Sequence, residues 1–474
     1  MRMTNATMYD RFLAGDPAWN GRFFTGVVTT GIYCLPSCKA RKPKPQHVRF
    51  FPTVEAARAA GFRPCRKCHP DDFARGADPV LETIETLISE VRANPAGFAD
   101  VAAMVRRSGF GATRLFELIR QHYHATPADL LLRARLEFAK RQLRDDKAGL
   151  AEVSAAAGFA SLSAFHEQFR RLNGLTPAAY RELRSARSFE LALPAGYPLP
   201  YLRRFLGREP QSLTERLEGD VYTATVQLGD RPALLRLQLA ADKVRAEISA
   251  GSAFAAHAVV VGRLGLDQDT AAFARLARRL GLARLVAGRP SLSVCQTPSV
   301  FDGLIWCIIG QQINFAFACV LKRRLIERAC RPFAEGLYAP PTPEDIAGLE
   351  PADLQPLQFS RQKAAYVIGA ARLVTAGKLD LEGLRAMSAT RAERALLEVH
   401  GLGAWSANYL LMRSLGFADC LPLGDTGVTS GLQALFKLEQ RPDADATRRL
   451  MAAFSPYRSL ATIHLWQLNQ PTPP

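Results

Sequence analysis

Four cysteines constrain the start of this chain more tightly than any other feature. Three residues separate Cys34 from Cys38, two separate Cys65 from Cys68, and 26 lie between the pairs. Thiol pairs at this spacing suit a tetrahedral zinc site of four sulfurs. The segment up to about Arg75 has few large aliphatic side chains, so a metal staple stands in for a core that so short a stretch cannot build. The quartet lies in GIYCLPSCKARKPKP and RPCRKC, and residues 31–67 carry nine basic side chains against one acid, Glu55. Spacing alone leaves two roles open: a purely structural metal, or a metal-held thiolate that also reacts.

The other cysteines, Cys295, Cys307, Cys319, Cys330 and Cys420, sit in apolar text such as LIWCIIG and read as small core residues. An odd total of nine, with no export signal, argues against a disulfide scaffold. The polar start MRMTNATMYD is no signal peptide, and no run approaches ~18 apolar residues. A cytoplasmic protein without membrane contact is the expectation. A length of 474 residues implies several domains. The 61 Lys+Arg outweigh the 44 Asp+Glu, and the resulting +17 favours a polyanionic partner through counterion release.

Patterning divides the chain into four expected domains at 1–76, 80–187, 188–290 and 291–470. The second is purely helical and contains a repeat: HATPADL at 124–130 recurs as GLTPAAY at 174–180, each after an amphipathic segment. In the third, YTATVQL and RPALLRLQL alternate like strands, whereas AAFARLARRLGLARLV has helical period. The fourth returns to helices between Gly/Pro turns, and the tail NQPTPP is expected to be disordered. The fold class is therefore multidomain and mainly α. It comprises a small zinc-bound α+β N-domain, an all-α double helix-turn-helix domain, an α+β domain and an all-α C-terminal domain.

TTGIYCLPSCKAR followed by AAGFRPCRKCHP closely resembles the zinc domain of Ada-type alkylation-response proteins, across nearly all of residues 5–75. The resemblance implies one Zn2+ on Cys34, Cys38, Cys65 and Cys68, with Cys34 as the acceptor of a methyl group from a DNA phosphotriester. A four-thiolate zinc site carries net charge −2, and alkylation of one sulfur raises it by one unit. Near a DNA phosphate this removes about 1–3 kcal/mol of repulsion for ~6 Å and a dielectric of roughly 20–80.

VSAAAGFASLSAFHEQFRRLNGLTPAAY reads as two helices around a turn at Gly158, with Phe165 and Phe169 inward and Ser163, His166 and Arg170 outward. It resembles the second half of an AraC-type DNA-binding domain. The first half lies around 100–121, with Arg114 and Arg120 as candidate DNA contacts. Whether these side chains touch bases or phosphates stays open at this level.

In VHGLGAWSANYLLMRSLG (399–416), Gly401 and Gly403 form a tight hairpin between helices, suited to a DNA phosphate. By itself that is also an ordinary helical hairpin. With Asp425 in LPLGDTGV downstream, the text resembles helix-hairpin-helix DNA glycosylases of the AlkA-type 3-methyladenine class, from about Ser188 to Trp466. The resemblance implies Asp425 as the catalytic carboxylate. It implies Trp405, Tyr409 and Trp466 as the pocket for a flipped base, and Gln312 as the wedge that fills the gap. Trp405 stands where lyase relatives carry a Schiff-base lysine, so hydrolysis without strand cleavage is expected. No Pro-Cys-His-Arg motif for O6-alkylguanine reversal is present in the sequence. Together these resemblances imply a protein of damaged and promoter DNA, acting with RNA polymerase at the bacterial nucleoid. The competing reading is an alkylation-responsive regulator whose C-terminal half only binds damaged DNA.

Overall fold

Glycine and aromatic side chains shape the N-terminal sheet. Strands β1 (Phe24–Val27), β2 (Ile32–Cys34), β3 (Val48–Phe51) and β4 (Arg63–Pro64) lie in the order β3-β1-β2-β4. β1 pairs antiparallel with β2 and β3, and β4 runs parallel to β2. A Cβ on Gly26 would lie 2.7 Å from the ring of Phe51 and 2.9 Å from that of Phe62, so only glycine lets both rings cross the strand. The core beneath is small: Phe24, Tyr33, Leu35, Phe51, Val54 and Ala57.

The computed structural model describes residues 3–76, 78–145, 148–468 and 470, so most of the tail NQPTPP lies outside the described residues. The chain forms two compact units, Met1–Ser89 and Glu90–Pro474. The first unit is the α+β zinc-site fold with the start of a helix, Pro79–Ala93.

In the second unit the repeat becomes two helix-turn-helix pairs. Helices Val101–Ser108 and Ala112–Tyr123 form the first, and Leu150–Ala156 and Leu162–Asn173 the second. The repeated Thr-Pro is a capping device. Thr126 and Thr176 each accept a backbone N–H at the start of a helix whose first residue is proline. The strand-like stretch forms an antiparallel sheet of β5 (Ser188–Ala192), β6 (Glu215–Glu218), β7 (Val221–Leu228), β8 (Arg231–Leu239) and β9 (Lys243–Ile248), ordered β5-β9-β8-β7-β6. Phe165 and Phe169 of the second helix-turn-helix, with Tyr180 of the following helix Pro177–Glu182, share one buried core with Leu191, Tyr222 and Leu235 of this sheet. From Val300 onward the chain is almost wholly helical around a second large core. No helix among the described residues is long and apolar enough to cross a membrane.

Candidate functional sites

The parallel pairing of Tyr33 with Pro64 puts the next residues, Cys34 and Cys65, side by side, and the Cys65 N–H donates to the Tyr33 carbonyl at 3.0 Å. Tight turns bring in the other two thiols. The Cys38 N–H bonds the Leu35 carbonyl at 3.0 Å, and the His69 N–H bonds the Cys65 carbonyl at 3.0 Å. All four sulfurs lie within 4.8 Å of one another. A tetrahedral zinc with bonds of about 2.3 Å needs sulfurs about 3.8 Å apart, so no pair is more than about 1 Å too wide. The Leu35 and Lys67 amides donate to Cys68 Sγ and Cys65 Sγ at 3.3 and 3.4 Å, the outer-shell support that metal thiolates require. Hydrogen bonding to Cys38 pushes the Cys34 thiol up, and the same contact holds Cys38 well below the usual thiol range. Four convergent soft donors of this kind fit one Zn2+. Cys34, Cys38 and Cys65 are only 5%, 4% and 7% exposed, and Cys68 is half-buried.

The second cluster forms where the helix Ala404–Arg413 meets the helices Thr426–Phe436 and Arg458–Trp466. Asp425 is the N-cap of the middle one. Its Oδ1 accepts the Val428 N–H at 2.9 Å and the Trp466 Nε1–H at 2.9 Å, and its Oδ2 accepts the Trp405 Nε1–H at 3.2 Å. The carboxylate thus caps its helix and also accepts from two indole donors that a cap does not need. Trp405 and Tyr409, one turn apart, stack with centroids 5.1 Å apart, and Tyr409 lies 6.5 Å from Trp466. Tyr409 and Trp466 also wall a cavity of about 340 Å³.

Two neighbours of Asp425 escaped the sequence reading. A Cβ on Gly427 would lie 2.6 Å from Trp466 Cδ1, and one on Gly431 would lie 2.6 Å from the Leu465 carbonyl oxygen. Two glycines one turn apart let the Asp425 helix approach the Trp466 helix closely, as glycine permits. The clue was glycine inside a helix, where it is costly unless something needs the space.

The hairpin departs from expectation in one detail. Gly401 takes the left-handed conformation (φ +95), and a Cβ there would strike the Tyr366 ring at 2.4 Å. Gly403, at φ −106, is instead a helix N-cap with no side-chain cap, which leaves backbone N–H groups for an anion. Gln312 is exposed at a left-handed turn (φ +58). Its neighbour Gln311, unremarked in the sequence, donates to the Gly401 carbonyl at 2.8 Å and Ser406 Oγ at 3.2 Å, which pins this turn to the hairpin.

In the second helix-turn-helix, Ser163 and Arg170 are exposed, and His166 is half-buried with its ring edge-on to Phe165 at 5.9 Å. Arg114, in the first, is half-buried, 3.3 Å from Glu117. Arg120, the other candidate DNA contact of the first pair, donates through Nε to Ser455 Oγ at 3.1 Å and through Nη2 to the Ser455 carbonyl. The last turn of its helix packs on the C-terminal half, where His122 Nδ1 lies 2.9 Å from Thr390 Oγ1, and Arg120 turns with it. Helical spacing carries no trace of such a distant contact.

A four-sulfur centre, a helix-turn-helix pair and a helical hairpin beside a capped carboxylate define a DNA-directed protein with a base-excision fold. Comparison with known proteins agrees. The metal binding domain of Ada matches residues 7–71, a helix-turn-helix domain 104–183, and the HhH-GPD superfamily of base excision DNA repair proteins 305–456. A probable bifunctional transcriptional activator/DNA repair enzyme AlkA of Mycobacterium tuberculosis is 27% identical over 483 residues, covering 97% of this chain and 95% of that protein. A DNA-3-methyladenine glycosylase of Bacillus subtilis is 33% identical over 211 residues, 43% of this chain and 68% of its own length. The solved 3-methyladenine DNA-glycosylase of Archaeoglobus fulgidus superposes with a TM-score of 0.53 at 21% identity, over 60% of this chain and 98% of that one, which shows the fold. The chain belongs to the AlkA-type DNA-3-methyladenine glycosylases, in the form fused to an Ada-type metal-binding domain and an AraC-type helix-turn-helix.

Proposed function

We propose that this protein is an adaptive-response alkylation repair protein with three tasks. It takes a methyl group from DNA phosphotriesters on Cys34, and it regulates transcription through residues 80–187. It also hydrolyses the N-glycosidic bond of alkylated bases such as 3-methyladenine. The observation that carries the glycosylase part is the Asp425 carboxylate, held on both oxygens by N–H donors beside an aromatic-walled cavity.

The residues divide the work as follows. The uncapped N–H groups after Gly403 bind a phosphate, and Gln312 fills the gap left by the extruded base. Trp405, Tyr409 and Trp466 offer π-faces to that base. As the glycosidic bond breaks, positive charge develops on the sugar and Asp425 stabilises it across a short distance. The indole N–H groups keep the carboxylate from rotating away. In the N-terminal unit, bound Zn2+ would keep the sulfurs as thiolates at neutral pH. Cys34 Sγ then forms a bond to the methyl carbon, the methyl–oxygen bond breaks, and the electron pair leaves on the phosphate oxygen as an ordinary phosphodiester. RNA polymerase is the proposed protein partner, and the bacterial cytoplasm, at the nucleoid, the proposed location.

Incubation with methylated duplex DNA should yield free alkylated purine without strand cleavage, read by chromatography of the released base. DNA binding with no released base supports the competing regulator reading instead. Gly427→Ala should slow base release about tenfold or more, because the added methyl displaces Trp466 and removes the indole hydrogen bond to Asp425 Oδ1. An unchanged rate in this variant would remove Trp466 from the positioning of the carboxylate.

A further inference from the structure

Gln312, assigned above to fill the gap behind an extruded base, stands at a turn that does not hold itself. Its φ of +58 is left-handed, and a residue with a side chain keeps that conformation only where neighbouring contacts impose it. The turn follows the helix Val300–Ile309, whose final carbonyls have no helical N–H ahead of them. Lys363 supplies the missing donors. Its Nζ donates to the Ile309 carbonyl and, at 3.0 Å, to the Gln311 carbonyl. The first bond places a cation at a helix C-terminus, where the macrodipole favours it. The second fixes the peptide plane that joins Gln311 to Gln312, and with it the direction in which the chain enters Gln312.

The helix that carries Lys363, Arg361–Thr375, also reaches the hairpin. Tyr366, one turn beyond Lys363, fills the space that a Cβ on Gly401 would need, and its ring is edge-on to His400 with centroids 4.9 Å apart. From the other side, the Gln311 side chain donates to the Gly401 carbonyl and to Ser406 Oγ. Lys363, Gln311, Gly401 and Tyr366 therefore close a circuit that runs from turn to hairpin, from hairpin to helix, and back to the turn. Elements joined in this way keep a fixed spacing. Base extrusion needs such spacing, because a wedge enters the stack while the hairpin holds the backbone it pushes against.

We infer that Lys363 is a positioning residue for base extrusion: it holds the Gln311–Gln312 turn at a set distance from the hairpin and touches neither base nor phosphate. The inference rests on the glycosylase reading above and adds the part that aims its wedge. A half-buried lysine in a DNA-directed protein otherwise reads as one more phosphate contact, and the two roles differ in their salt dependence.

The test measures single-turnover release of 7-methylguanine by the full-length protein from two duplexes. One places the lesion opposite cytosine, the other opposite an abasic site, where no pair has to be broken. In Lys363→Met the ratio of the first rate to the second should fall about tenfold or more, and Gln312→Ala should lower it to a similar extent. The double variant should match the lower single variant within about twofold, because both changes remove one function. Duplex binding by Lys363→Met should keep the wild-type salt slope, whereas loss of a phosphate contact lowers that slope by about one. Each ratio is taken within one protein, so partial loss of folded protein cancels. An unchanged ratio in either single variant, a further fall in the double variant, or a reduced salt slope in Lys363→Met overturns the inference. Release from neither duplex by the wild type overturns the glycosylase reading as well, whereas wild-type release with any of those three results overturns this inference alone.

Discussion

Asp425→Asn should lower the single-turnover rate of base release on the order of 10³-fold while leaving affinity for the damaged duplex nearly unchanged. The magnitude follows from charge. A carboxylate about 4 Å from a developing unit charge, at an effective dielectric of about 20, contributes roughly 4 kcal/mol, which is about three powers of ten in rate. Asparagine keeps the shape but not the charge. It also has one acceptor oxygen where Asp425 offers two, so among Val428 N–H, Trp466 Nε1–H and Trp405 Nε1–H at least one donor would face an amide NH2. Fold stability should survive, because asparagine caps a helix N-terminus about as well as aspartate. A melting temperature close to wild type together with a collapsed rate separates chemistry from folding. A variant that releases base at the wild-type rate would remove Asp425 from the reaction.

The residues legible in the sequence are those whose meaning is local. The cysteine quartet is readable because two tight turns and one strand pair close it within a short stretch. Asp425, Trp405 and Tyr409 are readable because their spacing sits on single helices and resembles a known motif. What could not be read depends on contacts across the fold. Trp466 reaches Asp425 only because Gly427 and Gly431 bring two helices together. Arg120 reads as a candidate DNA contact, and its hydrogen bond to Ser455, 335 residues away, leaves no mark in the sequence. The strands of the α+β segment were visible from alternation, but the core they share with Phe165 and Phe169 was not, since periodicity reports which face is apolar and not what covers it.

Exposure to methylated duplex DNA should add the mass of one CH2 group per chain, mapped by peptide digestion to Cys34 and absent from Cys34→Ala. The mapping matters because Cys34 is only 5% exposed and Cys68 is the most accessible of the four. Accessibility alone would put the methyl on Cys68, so finding it there would overturn the assignment of Cys34. Charge then predicts a second readout. Converting one zinc-bound thiolate to a thioether takes the site from −2 to −1. Close to a DNA phosphate this relieves about 1–3 kcal/mol of repulsion, or a roughly five- to 150-fold gain in DNA affinity at low salt. The gain should shrink as ionic strength rises, because salt screens the same interaction. Nine basic side chains within residues 31–67 would attract the DNA backbone, which leaves the sulfur charge as the repulsive element that methylation would remove. Equal affinity of the methylated and unmodified protein at low salt would leave repair intact and dispose of the electrostatic switch.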